Sequence, residues 1–232
     1  MSAAMSRLRA LLAAERSLWM VNPGGASIDV IDMLARAGAK CVFIDCERTG
    51  VNVESVTAMA RCAQSHGMAA VVRSESMRAE ILVRYLDRGI DGIVVPHVET
   101  AEQARAIADV VRYATSGRPE LVFTIAQIES AEAVRNAHVL SACEGIDGFL
   151  IGPNDLAHSL GFLGGTGRDE VTHAIDKTVD ALRSREKVWG IPAQPGTARN
   201  WSERGARLLY CTVEQILKSG FVAYAESMRG AE

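Results

Sequence analysis

The sequence predicts a (β/α)8 barrel, a single domain over residues 1–232 introduced by a short N-terminal helix. Three observations carry that expectation. Eight short β-rich runs alternate with longer helical patterns. Most of the runs are continuously apolar rather than alternating, as strands buried on both faces of a parallel sheet are. The strand ends recur near positions 47, 73, 98, 129, 155 and 194, several of them about 25 residues apart, the length of one β/α unit. An open doubly wound sheet is the alternative, but no GxGxxG turn follows the first strand.

The chain starts with MSAAMSRLRALLAAERSLWM. Arg7, Arg9, Glu15 and Arg16 interrupt its apolar residues, so it reads as a short amphipathic helix rather than a signal or transit segment. The strand runs follow: SLWMVN (17–22), CVFIDCE (41–47), AAVVRS (69–74), GIVVPHV (92–98), LVFTIAQIE (121–129), GFLIGPN (148–154), VWGIPAQ (188–194) and RLLYCTV (207–213). Between them, IDVIDMLARAG, VESVTAMARCAQSHG and RAEILVRYLDRG carry apolar residues at helical spacing and stop at Gly38, Gly67 and Gly89. AEQARAIADVVRYA, SAEAVRNAHVLSA, EVTHAIDKTVDALRSR and TARNWSERG follow the same pattern, and VEQILKSGFVAYAESM is the last helix. The one loop-like spacer, TSGRPE (115–120), is too short to separate domains.

Composition narrows the function classes. With 48% hydrophobic and 23% charged residues, the chain can bury a sizeable globular core. Its net charge of -3 and the absence of a basic block argue against nucleic acid or an anionic membrane surface as the partner. No apolar run approaches the roughly 18 residues that span a bilayer. The five cysteines, Cys41, Cys46, Cys62, Cys143 and Cys211, are odd in number, form no CxxC pair and lie in apolar segments. Reduced thiols in a reducing, cytoplasmic compartment are expected.

In a (β/α)8 barrel the C-terminal strand ends converge on one face, where active sites sit. The candidates are therefore Asp45, Glu47 and Arg48 on the second strand, Arg73 on the third and His97 on the fourth. Gln127 and Glu129 follow on the fifth, Asn154 and Asp155 on the sixth and Gln194 on the seventh. Glu129 and Asp155 end neighbouring strands, so their carboxylates can meet. They share a proton, hold a hard divalent cation such as Mg2+ that keeps some of its waters, or merely cap the following helices. Arg73 can take a carboxylate in bidentate fashion, or form a structural pair with Glu47 or Glu75. His66, His138, His158 and His173 sit in helix patterns, which leaves His97 as the histidine at a strand end.

The stretches IDCE, VVR, VVPHVETAEQA, QIESAEAV and EGIDGFLIGPNDLA with the following SLG make the resemblance specific. From about Leu18 to Cys211 the chain resembles the HpcH/HpaI class II aldolases. These belong to the phosphoenolpyruvate/pyruvate-binding barrels, with 2-dehydro-3-deoxyglucarate aldolase, macrophomate synthase and the citrate lyase β-like enzymes. The resemblance implies that Glu129 and Asp155 bind a divalent metal, Mg2+ with Mn2+ or Co2+ as substitutes. It implies that Arg73 contacts the carboxylate and enolate oxygen of a pyruvate-like 2-oxoacid. Gln127 would support the site, and Gly152, Pro153 and Asn154 with Asp155 would line the oxoacid pocket. The implied reaction is reversible aldol cleavage to pyruvate or a similar 2-oxoacid, in a homo-oligomer of trimer or hexamer type.

Two departures stand out. The family reads IDxEH after the second strand, and its histidine works with the aspartate as acid and base. Here IDCERTG keeps Asp45 and Glu47 and places Arg48 where the histidine belongs. Arginine stays protonated and is a poor base, so the base is His97, a metal-bound water, or unnecessary because the reaction differs. The segment with a GxRG motif before the fifth strand is also shortened. The leading reading is a metal-dependent carbon–carbon lyase acting on a 2-oxoacid. A decarboxylase or Claisen-type condensing enzyme is second, favoured by Arg48 as a holder of a second carboxylate. A non-catalytic binder of small acids is third.

Overall fold

Eight parallel strands pair in sequence order, and the eighth returns to the first to close a barrel. A computed structural model describes residues 5–228. The strands are β1 (Leu18–Asn22), β2 (Cys41–Asp45), β3 (Ala69–Arg73), β4 (Gly92–Val95), β5 (Phe123–Ile128), β6 (Gly148–Ile151), β7 (Val188–Pro192) and β8 (Leu208–Thr212). All eight expected strands are present, each shorter than its apolar run. Glu47, Arg48, His97, Glu129, Asn154, Asp155 and Gln194 therefore stand beyond the strand ends, on the loops and helix starts that face the active end.

The helices are α1 (Arg7–Ala14), α2 (Ile28–Arg36), α3 (Val53–Ser65), α4 (Ala79–Leu86), α5 (Ala101–Ala114), α6 (Ala131–Ser141), α7 (Pro153–Ser159), α8 (Asp169–Arg183), α9 (Pro195–Glu203) and α10 (Val213–Ser227). Ser27, Asn52, Thr100, Ser130 and Thr212 cap five of them, each side chain accepting a backbone N–H of the first turn. Gly38, Gly67 and Gly89 stop α2, α3 and α4 with φ of +93°, +77° and +73°. Helix α7 was not expected. The sequence extends the sixth strand to residue 154, but the strand ends at Ile151 and Pro153 starts a helix, where its missing N–H costs nothing.

The apolar residues divide between two cores. One lies inside the barrel and includes Met20, Phe43, Val71, Val94, Ile125, Leu150 and Leu208. The other lies between the strands and the surrounding helices. Leu8 and Leu12 of α1 join the inner core. Arg9 fixes that helix through a 2.6 Å ion pair with Asp147 and a bond to the Glu120 carbonyl. Helix α1 is therefore a floor for the barrel, which seals its far end and leaves the site at the other. Helix α10 behaves differently: none of its residues is buried, and Leu217, Phe221 and Tyr224 are largely exposed. Among the described residues, no helix is long and apolar enough to cross a membrane.

Because the floor and the site occupy opposite ends, they can be perturbed separately. Leu8 is wholly buried. Leu8→Ala should cost about 2–5 kcal/mol of stability by leaving a cavity, measured by urea unfolding, while kcat/KM changes less than about twofold.

Candidate active site

Strand β2 is buried along its whole length and ends at Asp45, which is only 2% exposed. A carboxylate that deep must be paired. Arg73, its register partner at the end of β3, supplies the pair. Arg73 Nε donates to Asp45 Oδ1 at 2.9 Å and Nη2 donates to Oδ2 at 2.6 Å, a bidentate fork. Nη1 stands 3.0 Å from Glu47 Oε2. Burial works against the Arg73 charge, but the Asp45 and Glu47 carboxylates outweigh it and hold the guanidinium above its ordinary pKa. Asp45 Oδ1 also accepts the backbone N–H groups of Glu47 and Arg48, each at 3.1 Å. That turn carries both residues back over the barrel mouth.

Strands β4 and β5 deliver the second group. Glu129 follows β5 and is 3% exposed. His97, two residues past β4, adopts φ of +57°, a left-handed conformation uncommon outside glycine. The result is that its backbone N–H donates to Glu129 Oε1 at 2.8 Å, with ring Nδ1 at 2.9 Å from the same oxygen. Ring Nε2 stands 3.3 Å from Glu47 Oε1. The imidazole thus lies between two carboxylates, and it donates to both only when it carries both protons. Gln127 donates its side-chain amide to Glu129 Oε2, while its own buried Oε1 has no partner. Burial raises the Glu129 pKa, and the nearby Glu47 and Asp155 carboxylates raise it further, against the His97 contacts.

The loop after β6 supplies the third group. Gly152, Pro153, Asn154 and Asp155 run into the first turn of α7, so Asp155 starts a helix rather than ending a strand. Gly152 is required there: a Cβ would lie 2.9 Å from the Glu129 Cβ and 3.1 Å from Gln127 Nε2. Arg48 reaches across, its Nη2 2.7 Å from Asp155 Oδ1 and its Nε 4.0 Å from Glu47 Oε2. A cavity of about 400 Å³ opens at this point, lined by Asn22, Asp45, Arg48, Arg73, Gln127 and residues 152–155 among others.

A family model described as HpcH/HpaI aldolase/citrate lyase matches residues 18–208. The chain belongs to that family. It is 28% identical to a hydroxypyruvate/pyruvate aldolase of Delftia acidovorans over 87% of this chain and 84% of that protein. It is 30% identical to a 5-keto-4-deoxy-D-glucarate aldolase of Klebsiella pneumoniae, over 87% and 88%. A Burkholderia cenocepacia protein of the same family superposes with a TM-score of 0.87 at 23% identity, covering 97% of this chain and 99% of that one. The citrate lyase β subunit of M. tuberculosis, complexed with oxaloacetate and magnesium, does so with 0.63 at 20%, over 87% and 93%. The chain is a carbon–carbon lyase of the class II aldolase type.

The geometry sorts the sequence candidates. Asp45, Arg48, Arg73, Gln127, Gly152, Pro153, Asn154 and Asp155 line one cavity. Glu47, His97 and Glu129 form a charged wall beside it, joined by ion-pair distances of 2.9–3.3 Å. Gln194 is elsewhere: it is exposed at the start of α9, its backbone N–H donating to Thr197 Oγ1 at 3.1 Å. The pairing of Arg73 with Glu47 is real, whereas Glu75 is not among its partners; the stronger partner is Asp45. Several polar cavity residues were not anticipated, among them Asn22, Tyr210 and Glu214. Asn22, the last residue of β1, donates to Tyr210 Oη at 3.0 Å and to Asp45 Oδ2 at 3.4 Å. Its strand-end position was the available signal; Tyr210, inside an apolar run, gave none.

Five carboxylates (Asp45, Glu47, Glu129, Asp155 and Glu214) stand around two guanidiniums (Arg48, Arg73) here, an excess of negative charge at the cavity. Among the described residues no three His, Cys, Asp or Glu side chains converge as a closed cage. A hard cation held by so few protein oxygens would have to keep several waters, as Mg2+ does. Gly152→Ala should push Glu129 and Gln127 out of place. A loss of kcat/KM of at least tenfold is expected in steady-state assays, with the fold retained by circular dichroism.

Proposed function

We propose that the chain is a metal-dependent lyase that cleaves a 2-oxoacid through the enolate of pyruvate. The observation that carries this reading is Arg73, fixed from one side by Asp45 in the same cavity as Asp155 and Gln127. Two of its five N–H donors go to Asp45, leaving one on Nη2 and both on Nη1, the nitrogen that stands 3.0 Å from Glu47 Oε2. Those donors can grip the substrate carboxylate and steady the enolate oxygen as negative charge develops. A divalent cation on Glu129 and Asp155, Mg2+ above all, would supply Lewis-acid polarisation of the 2-oxo group. The magnesium in the M. tuberculosis neighbour and the pyruvate-named relatives support the assignment.

In aldol cleavage a base takes the 4-hydroxyl proton, the C3–C4 bond breaks, an aldehyde leaves and the bonding electrons become the enolate. C3 is then reprotonated. His97 is the available imidazole, bridging Glu47 and Glu129. Arg48, held against Asp155, cannot act as that base. The same observation favours a second reading, decarboxylation of oxaloacetate or a Claisen-type condensation. In decarboxylation CO2 leaves with no proton to remove, and the enolate is the same.

We also assign the chain to the cytoplasm, as one domain in a homo-oligomer of trimer or hexamer type, with small acids rather than nucleic acid or membrane as partners. The exposed apolar face of α10 supports an assembly.

Two measurements test these assignments. Excess EDTA should abolish activity, and Mg2+, Mn2+ or Co2+ should restore it; full activity in EDTA overturns the metal. Rates on 4-hydroxy-2-oxoacids and on oxaloacetate, compared for wild type, Arg48→His and His97→Ala, locate the base. His97→Ala should lower aldol cleavage by roughly 10²-fold or more and spare most of the decarboxylation. Fast cleavage by His97→Ala removes His97 from the role.

A further inference from the structure

Arg48 and Arg73 line one cavity but are held in different ways. The Arg73 side chain is 12% exposed and grips a buried carboxylate with two parallel bonds. The Arg48 side chain is 55% exposed and touches Asp155, itself 36% exposed, through a single nitrogen. An ion pair of that kind is weak and readily exchanged. Its other neighbour, Glu47, lies 4.0 Å away and already faces Arg73 and His97. Arg73 is also close enough to repel it. The backbone of Arg48 is not free to leave, because its N–H is bound to Asp45 Oδ1. The guanidinium is thus a loosely held positive charge on a fixed base at the cavity wall.

We propose that Arg48 is an exchangeable counter-ion, pairing with Asp155 until a divalent cation takes that carboxylate and then receiving the second carboxylate of a dicarboxylic 2-oxoacid. The inference rests on the metal reading of Glu129 and Asp155 given above. A divalent ion at Asp155 repels Arg48 and removes its one close partner together. The freed guanidinium stays at the cavity it already lines, which at about 400 Å³ exceeds the needs of a three-carbon acid. Arg73 takes the carboxylate next to the 2-oxo group and Arg48 takes the distal one. Linkage then requires cation and dicarboxylate to strengthen each other's binding.

The test is titration calorimetry with Mn2+ alone, then with pyruvate and with 2-oxoglutarate at saturating Mn2+. Arg48→Gln should bind Mn2+ roughly two- to fivefold more tightly than wild type, because the competing charge is gone. Combined with Asp155→Asn, the same change should give no such gain, since nothing remains to release. Arg48→Gln should also lower the affinity for 2-oxoglutarate relative to pyruvate by roughly tenfold. Unchanged Mn2+ affinity, a gain that persists beside Asp155→Asn, or an unaltered preference between the two acids overturns the proposal. If Glu129→Gln and Asp155→Asn each leave Mn2+ binding intact, the metal site itself is misplaced and the counter-ion role falls with it.

Discussion

The fork between Asp45 and Arg73 sets the rest of the site. It joins the last residues of two adjacent strands, at a depth where neither charge could stand alone. Asp45 meets this guanidinium, two backbone N–H groups and the Asn22 amide. Those contacts fix the turn that carries Glu47 and Arg48, and they orient the Arg73 donors that remain. Removal of either partner leaves a buried charge without its counter-charge, a far larger disturbance than the loss of one bond.

Around the fork, charges are arranged in layers of decreasing depth. Glu129 is almost wholly enclosed, and its oxygens are met by His97 and Gln127. Asp155 is partly open, on a helix start that favours negative charge. Arg48 is more open still. Deep groups are rigid because their partners are many; outer groups exchange because theirs are few. Positioning is thus concentrated below and adaptability above, within one cavity.

The barrel was legible because most of its strands are buried on both faces, which forces short continuous apolar runs. The strand-end rule found most of the site, since every barrel strand delivers its last residue to the same rim. It failed where a polar group sits within a strand, as Tyr210 does, or where a turn becomes a helix, as at Pro153. The contact of Arg48 with Asp155 joins residues 107 positions apart, on the loops after β2 and β6. No local pattern encodes such a meeting. The left-handed backbone of His97 was invisible for a similar reason: Glu129, a distant residue, gives the strained conformation its partner.

The closing seam of the barrel has a consequence for how the chain is made. Strand β1 pairs with β2 on one side and β8 on the other, and Ser17 bonds to the Ala206 carbonyl 189 positions away. One edge of β1 therefore has no partner until nearly all of the chain has been synthesised. During that interval an apolar strand with unpaired backbone groups is open to pairing with another chain. The floor helix α1 precedes the barrel and packs against its strands, and Arg207 returns at the end to bond the carbonyls of Leu12 and Glu15. Closure is thus a late and long-range event, so slow synthesis or crowding by unfinished copies should lower yield before it lowers the quality of molecules that have closed.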